Sequence, residues 1–525
     1  METIETDVLI VGAGAAGIRA ALSASEAGAR VVLLAKGEVA QAGSTFSTIS
    51  RGWGIQALVG KERTQKNLKG FYDEIMGVGL GQCDPKLVRI LVEESGPRLE
   101  DLISYGIRFR KNAYGDYVRA KGCFSDCKRA FLTEDFGNLK GSFLSILRHS
   151  AVRVVRGYVI ELLTGDGACW GAWTITHAGK VGQIRAKATV LATGGGAGIF
   201  EEQLVSEGEM GDGYALAYRA GAELTNLEFI QFMLGLKMNG TRQFLPLAGL
   251  RKPGMLRSSK GSDLLETCFP DPKTRARVVN DRQSHFPFSC RDASHHIDIA
   301  VAKEHQQGRR ITWGDSDGAQ DPGQVVHFAH AFNGGVKIND RAESTILGLF
   351  ATGEVAAGPH GADRIGGCMM TATQVYGERA GRFAAKRALE TTSIPEIEKT
   401  PTVLKNRKGR EYDEAVLGRL KASAKNIIGS SLTVLRDEKG LLRCLNTIRG
   451  LRRELVELGW YDAQVLIPYS AVKTMLIVGE LIAESGLRRK ASLGSHFRTD
   501  TPNHPQKAKD MLDSLYENPA ESTCL

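Results

Sequence analysis

The feature that most constrains the fold is the run DVLIVGAGAAGIRAALSASEAGARVVLLAK near the N-terminus. A short apolar segment leads into Gly12, Gly14 and Gly17, which are followed by apolar and small residues at helical spacing and then by a second apolar segment. This order predicts a strand, a tight turn, a helix and a second strand. Such a unit binds the pyrophosphate of a dinucleotide at the N-terminus of its helix.

Two further segments of this kind lie far away in the chain. KATVLATGGGAGIF (187–200) and GLFATGEV (348–355) each read as an apolar strand that runs into glycines. One nucleotide-binding fold built from three distant segments implies that other domains are inserted between them, and this favours FAD over NAD. The acid that usually ends the second strand is absent, because the chain has Ala35 and Lys36 there.

The length and the charge of the chain limit the classes of protein to which it can belong. A chain of 525 residues exceeds one hydrophobic core, so two to four domains are expected. The net charge is +9, but the basic residues are dispersed, and the two short clusters at 405–410 and 487–490 come without a recognition motif. Nucleic-acid binding is therefore not expected.

The cysteines and the apolar segments bear on location. Nine scattered cysteines without a signal peptide predict free thiols and a reducing cytoplasm. Cys123 and Cys127 are four residues apart, but no second pair follows at metal-binding spacing, so no metal site is predicted. No apolar run approaches the roughly 20 residues that span a bilayer, so any membrane contact would go through a partner.

Across most of its length the chain resembles the family of succinate dehydrogenase and fumarate reductase flavoprotein subunits and L-aspartate oxidase. The most specific motif is GEVAAGPHGADRIGG (353–367), which is similar to the family's GE…HGANRLGG. Other matching segments follow in the family's order: GAGAAG (12–17), ATGG (192–195), GDGYALAYRAGAEL (211–224), LEFIQF (227–232), CRDAS (290–294), HAFNGGVKIN (330–339) and LGSHFRTD (493–500).

The resemblance implies an α/β fold: a Rossmann-like FAD-binding domain with an inserted capping domain and a helical C-terminal domain. The expected domains are the first part of the FAD-binding domain at 1–231, the capping domain at 232–345, the return segment of the FAD-binding domain at 346–397 and the helical domain at 398–525. The polar stretch 398–415 resembles a linker to the helical tail.

The resemblance also implies how FAD is held. Succinate dehydrogenases and membrane fumarate reductases attach it through a histidine, but this chain has Ser44 near that position and no histidine nearby, so noncovalent FAD is predicted. The expected cofactor-binding residues are Gly12, Gly14, Ala15, Ala16, Gly17, Ala35, Lys36, Gly43, Ser44, Thr45, Ala192, Thr193, Gly194, Asp212, Gly353, Glu354 and Arg364.

Family chemistry is hydride exchange between flavin N5 and a carbon of a dicarboxylate, with a proton moved on the opposite face. By register, Arg364 matches the carboxylate-binding arginine and His330 a substrate histidine. Arg291 matches the proton-donating arginine, and Arg251 a second arginine of its proton relay. Gln231 matches a glutamine beside the substrate.

Departures from the family pattern concentrate at the expected substrate. Met233 stands for a substrate histidine, and Leu247 and Ala248 stand for a threonine and the relay glutamate. We therefore expect a pocket whose substrate keeps one carboxylate but has a less polar second end. Cys368 is a further departure, and both a reactive thiol and a small packing residue are open interpretations.

The sequence thus predicts an FAD-dependent oxidoreductase that acts on a CH–CH bond next to the carboxylate of a small organic acid. Because the chain has no cluster motif of its own, an iron–sulfur protein is the expected electron partner. An L-aspartate oxidase-like enzyme and a flavin electron-transfer protein without its own substrate are the alternatives. A slip in register, with His285, His295 or His296 as the missing histidine, is also open.

Overall fold

The computed structural model describes residues 2–46, 54–206, 208–314, 323–397, 401, 404, 414–460 and 463–501. Its strands are β1 Glu2–Val11, β2 Val31–Ala35, β3 Gly54–Gln56, β4 Arg119–Lys121, β5 Lys128–Leu132, β6 Arg153–Arg156, β7 Tyr158–Gly165, β8 Ala168–Ile175, β9 Val181–Leu191, β10 Leu224–Thr225, β11 Ile230–Met238, β12 Thr241–Phe244, β13 Leu256–Ser258, β14 Ile311–Trp313, β15 Gln324–Phe332, β16 Gly335–Lys337, β17 Leu349–Ala351 and β18 Ala356–Ala357. Its helices are α1 Ala15–Glu26, α2 Gln65–Val78, α3 Pro85–Ser104, α4 Phe136–Arg148, α5 Asp212–Arg219, α6 Leu264–Cys268, α7 Pro272–Gln283, α8 His295–Gln306, α9 Cys368–Glu390, α10 Glu414–Ser431, α11 Glu438–Leu458 and α12 Ala463–Arg488.

The main sheet joins the three glycine-bearing segments that the sequence singled out. Its strand order is β6–β2–β1–β9–β8–β7, and β17 pairs with β9. The last residue of β1, Val11, lies opposite Leu34 on one side and Leu191 on the other, and Ala351 of β17 also lies opposite Leu191. Because β1, β9 and β17 are parallel, the glycines after all three strands meet at one edge of the sheet, where ligands of open α/β sheets bind.

Helices α1 and α9 lie directly against each other beside this sheet. A side chain at Gly381 of α9 would clash with the carbonyl oxygen of Ala20 in α1, so the two backbones are in close contact. Helix α9 begins after Gly367, which has a φ of 91°. The contact brings the first turn of α9 to the same sheet edge as the first turn of α1.

A second, antiparallel sheet is built within residues 230–332. Its strand order is β12–β11–β15–β14–β13, and α6, α7 and α8 supply buried side chains to the same unit. These elements have an apolar cluster of their own, which includes Leu234, Val278 and Val325. The predicted start of the capping domain, at residue 232, falls inside β11 rather than in a loop.

Helices α10, α11 and α12 form the C-terminal part of the described chain, and their buried side chains join the main apolar cluster. Within α12, the segment Val465–Arg488 is long and apolar enough to cross a membrane by length and composition, which the sequence analysis did not anticipate. However, 67% of its most apolar window is buried inside the protein, as in a core helix. Most of the predicted linker at 398–415 lies outside the described residues.

The cysteines differ in one respect from the expectation of free thiols. Cys127 is disulfide-bonded, so the expectation fails there. The free cysteines among the described residues are Cys83, Cys123, Cys169, Cys268, Cys290, Cys368 and Cys444.

Candidate active site

A cavity of about 610 Å³ lies where the glycine-bearing edge of the main sheet meets the cap sheet. Most of the residues expected to bind FAD line it. They are Gly12, Gly14, Ala15, Ala16, Ala35, Lys36, Gly43, Ser44, Thr45, Ala192, Thr193, Gly194, Gly353, Glu354 and Arg364.

The N-terminal glycines have steric reasons to be glycine. Gly12 has a φ of 110°, and a side chain there would clash with the carbonyl of Ala192. Gly17 does not line the cavity, but a side chain there would clash with the carbonyl oxygen of Gly12, so it permits the tight turn. The N–H of Ala15 donates to Thr45 Oγ1 at 3.3 Å, and the first turn of α1 faces the cavity with its positive end.

The cavity wall also carries buried polar atoms without a protein partner. Thr193 Oγ1 and Thr352 Oγ1 are both buried, and neither has a hydrogen-bond partner among the described residues. Buried polar groups are normally hydrogen-bonded, so these hydroxyls indicate a polar ligand. Together with the glycine turn and the helix terminus, they fit a dinucleotide: the α1 turn would hold its phosphates, and the threonines and Glu354 its hydroxyl groups.

Two predicted cofactor residues contact each other. The Nζ of Lys36 donates to Asp212 Oδ2 at 2.8 Å and to the carbonyl of Gly208 at 3.0 Å. Asp212 itself lines an adjoining cavity of about 490 Å³, which shares Gly12 and Tyr158 with the first. Asp212 is therefore connected to the main cavity through Lys36 and does not line it directly.

Two charged residues of the cavity, Glu38 and Glu209, were missed by the sequence analysis. Glu209 lines the wall and accepts a hydrogen bond from Ser44 Oγ at 2.8 Å. Glu354 lies nearby and accepts a bond from the N–H of Phe332 at 2.9 Å. Burial raises the pKa of both carboxyls, and their mutual repulsion raises that of Glu354 further. The position of Glu209 just before the GDG at 211–213 was the available signal.

Arg364 is a buried cation in the wall of this cavity. Its Nη2 donates to Gln231 Oε1 at 2.6 Å, whereas its Nε has no partner. Among the described residues no carboxylate lies within salt-bridge distance of its guanidinium. Burial lowers the pKa of Arg364. Since an uncompensated buried charge is costly, the arrangement indicates an anionic ligand.

His330 and Met233 lie beside Arg364 in the same wall. Burial and the positive charge of Arg364 lower the pKa of His330 to about 4, so the imidazole is neutral at physiological pH. Its Nδ1 has no partner in the described part of the chain. The structure therefore brings together four residues that the sequence grouped at the substrate, with Gln231 as the fourth.

Arg291 lies near this group but does not line the cavity. Its Nε is 3.5 Å from Asp363 Oδ2, and its guanidinium stacks over the ring of Phe124 at 5.0 Å. Asp363 is fully buried and also accepts a hydrogen bond from Ser289 Oγ at 2.6 Å. Arg291 is thus held beside the loop that carries Arg364.

Besides Gly17, Asp212 and Arg291, three more predicted site residues do not line the cavity. They belong to a 3-10 helix of the cap, Leu247–Arg251, which directs its apolar side chains into the cap's own cluster. Leu247 is buried there, Ala248 is exposed, and exposed Arg251 donates to Asn280 Oδ1 at 3.1 Å. The expected contact of these residues with a substrate or a proton relay is therefore not met.

The alternative histidines do not fill the gap left by Met233. His285, His295 and His296 do not line the cavity. His285 is committed on both ring nitrogens, to the carbonyl of Pro287 at 2.6 Å and to Asp292 Oδ2 at 3.1 Å.

Cys368 is a buried packing residue. Burial raises the pKa of its thiol to about 12, and it does not line the cavity.

The comparisons with known proteins agree with this geometry. The model of the FAD binding domain matches residues 7–370, and that of the fumarate reductase flavoprotein C-terminus matches residues 422–520. An uncharacterised FAD-dependent oxidoreductase of Methanocaldococcus jannaschii is 30% identical, with 95% of this chain and 94% of the relative covered. A fumarate reductase (CoM/CoB) subunit of Methanothermobacter marburgensis is 29% identical, with 97% of each covered.

Further relatives and a solved structure extend the comparison. An L-aspartate oxidase of Streptomyces coelicolor is 27% identical, over 95% of this chain and 89% of the relative. A structure of E. coli quinol fumarate reductase has the same fold, with a TM-score of 0.78 at 19% identity over 96% of this chain and 92% of that chain. The chain belongs to the family of FAD-binding oxidoreductases of the fumarate reductase and succinate dehydrogenase flavoprotein type, which also includes L-aspartate oxidase.

Proposed function

We propose that this FAD-dependent oxidoreductase exchanges a hydride between flavin N5 and a carbon next to the carboxylate of a small organic acid. The observation that carries the proposal is the buried guanidinium of Arg364, which lies in the cavity wall without a carboxylate partner among the described residues. FAD supplies the two-electron chemistry, and the side chains of the cavity bind and orient the acid.

Each residue of the group has a role that follows from its contacts. The planar fork of Arg364 binds a carboxylate and draws electron density from the carbons next to it. Gln231 holds this fork in place through its hydrogen bond of 2.6 Å. His330 is neutral above about pH 4 and offers one hydrogen-bonding nitrogen to the acid.

Arg291 is the proposed source of the proton on the opposite face; because it lies behind the cavity wall, beside the loop that carries Arg364, the proton would reach the acid through a bridging group. An arginine has a pKa above about 12, so it donates a proton only when a neighbour or solvent re-protonates it. Asp363, whose carboxylate is 3.5 Å from Arg291 Nε, stabilises the protonated guanidinium, and solvent re-protonates it because the Arg291 side chain is 16% exposed. Arg251, at the surface of the cap, is not needed for this relay.

We further propose an iron–sulfur protein as the electron partner. Within the described residues no group of three or more His, Cys, Asp or Glu side chains could hold a metal ion. One relative is named as a subunit of a fumarate reductase, which supports a multi-subunit assembly in which another chain carries the electrons. The expected location is the cytoplasm, or the membrane surface through this partner.

An L-aspartate oxidase-like activity is the second candidate. Relatives with that name support it. Production of an imino acid and hydrogen peroxide from aspartate under air would select this candidate over the first.

The test uses the purified protein loaded with FAD under anaerobic conditions. Enoates are added to the reduced protein and saturated acids or aspartate to the oxidised protein, while flavin absorbance is followed. We expect at least one acid to change the redox state of the flavin within the turnover time of ordinary enzymes. If none of the acids does so, the proposed function is refuted.

A further inference from the structure

Apart from Gln231 and His330, the cavity wall near Arg364 is mostly apolar. Its nearest part is formed by β11, β15, the chain before Phe288 and the first turn of α9. The side chains that these segments and Cys123 present are neutral, and most of them are hydrocarbon or thioether groups: Met233, Pro287, Ala331, Met369 and Met370. This composition suits a hydrocarbon group of a ligand.

The charges of the cavity allow one carboxylate at this end. Among the described residues that line it, the cations are Arg364 and Lys36. Lys36 is already paired with Asp212 at 2.8 Å, at the dinucleotide-binding edge. Of the other titratable side chains on the wall, His330 has a pKa of about 4 and is neutral, and Glu38, Glu209 and Glu354 are acids, so none of them offers a second anion a positive charge.

The guanidinium of Arg291 is the nearest rival for a second carboxylate. It is held beside Asp363 at 3.5 Å and covered on one face by the ring of Phe124. Its charge is balanced by that buried carboxylate, and it does not line the cavity. In the described part of the wall, a dicarboxylate would therefore bury its second charge with no cation to pair with and with only the neutral Gln231 and His330 as polar neighbours, which is unfavourable.

We propose that the substrate is a monocarboxylate that carries an apolar substituent on the carbon chain, as a 2-enoate or its saturated counterpart. The inference rests on the proposed function and specifies its substrate class. Arg364 binds the single carboxylate, and the apolar group lies against Met233 and the first turn of α9. Reduction breaks only the carbon–carbon π bond: a hydride is added at the carbon β to the carboxylate and a proton at the α carbon. The two electrons come from reduced FAD, which is oxidised and is then reduced again, with uptake of protons, by two successive one-electron transfers from a donor of the iron–sulfur class.

The test compares acids that differ in their second end. Binding of crotonate, 2-hexenoate, cinnamate, fumarate and succinate to the oxidised, FAD-loaded protein is measured by calorimetry at one ionic strength, and enoate reduction is followed with reduced methyl viologen as donor. At least one apolar monocarboxylate is expected to bind roughly tenfold more tightly than fumarate or succinate and to be reduced. Equal or tighter binding of fumarate or succinate, with turnover, overturns the inference but leaves the proposed function intact. Failure of every acid to bind and react refutes the proposed function itself.

Variants at Met233 make the test specific for the apolar wall. Met233→Lys places a second cation beside Arg364, and the ratio of fumarate to crotonate affinity is expected to rise at least about tenfold. Met233→His is the milder polar change and should move the ratio in the same direction if the lysine variant does not fold. Met233→Leu keeps the wall apolar and should keep the ranking of the acids. An unchanged ratio in both polar variants overturns the inference.

Discussion

Replacing Arg364 with lysine isolates the contribution of the guanidinium fork. The positive charge stays, but the planar pair of donors is lost. In the structure, Nη2 donates to Gln231 at 2.6 Å and Nη1 is 3.4 Å from the carbonyl of Ile365, while Nε has no hydrogen-bond partner within the described part of the chain. An arginine has five N–H donors, so a parallel pair is available for a carboxylate. A hydrogen bond to a charged group contributes about 1.5–3 kcal/mol, and the ammonium keeps part of the attraction. We therefore expect a loss of about 2–4 kcal/mol, or roughly 30- to 700-fold, in carboxylate affinity.

The assay is a titration of the oxidised, FAD-loaded variant with the best acid, followed by flavin absorbance, together with kcat/KM for its reaction. The matched control is Arg382→Lys, because Arg382 lies on the exposed face of α9 and makes a surface ion pair with Glu378 at 2.7 Å. Such a pair contributes about 0–1 kcal/mol to stability, so this control should bind the acid like the parent protein. If R364K retains FAD and binds the acid within about threefold of the parent protein, Arg364 is not the carboxylate-binding residue.

Three further predictions concern pH, packing and the flavin. The pKa of His330 is about 4 in the folded protein and 6.5 when unfolded, so the unfolded chain binds the extra proton and stability falls as pH falls through this window. The free energy of unfolding, measured in urea, should therefore fall by about 2 kcal/mol less in His330→Asn than in the parent protein when the pH is lowered from 7 to 5. An equal fall in both proteins would contradict a lowered pKa of His330. Gly381→Ala should lower the free energy of unfolding by about 1–3 kcal/mol, because the new methyl group meets the backbone of Ala20. The control is Gly450→Ala, where a methyl group meets no other atom within 4 Å, and it should be neutral or stabilising by up to about 1 kcal/mol. Both variants are compared with the parent protein in thermal or urea unfolding. Acid precipitation should release intact FAD into the supernatant because Ser44 stands near the family's attachment position; flavin retained in the washed pellet would show covalent attachment.

Most of the residues that the sequence predicted at the cofactor line one cavity, because that prediction depends on local geometry. Gly12 has a φ of 110° and lies in close contact with the carbonyl of Ala192. Both features follow from a strand that turns sharply into a helix. Such turns leave glycines at fixed spacing, so the motif carries its own structural context. Glu209 escaped because a single acid in a loop has no periodic pattern, and only the fold shows that it faces Ser44.

The substrate end was predicted less completely. Gln231, Met233 and His330 were located by register with the family, and β11 and β15 do carry them to Arg364. Leu247 was expected at the same site but is buried in the cap's own cluster. Loop residues of this kind cannot be placed by register alone, because the packing of a neighbouring apolar core decides which way a short turn faces.

The type of protein could be read from local sequence: a split dinucleotide-binding fold, three glycine-bearing strand ends at one sheet edge, and one arginine between glycines. These features follow from backbone sterics and strand order, which act over short segments or parallel neighbours. Which charges share a cavity became visible only in the folded chain. Among the described residues, folding left Arg364 without a carboxylate partner and paired Arg291 with Asp363, and it placed Met233, Met369 and Met370 in the same cavity wall as Arg364. Burial and ion pairing depend on side chains that are distant in the chain, and substrate selectivity depends on both.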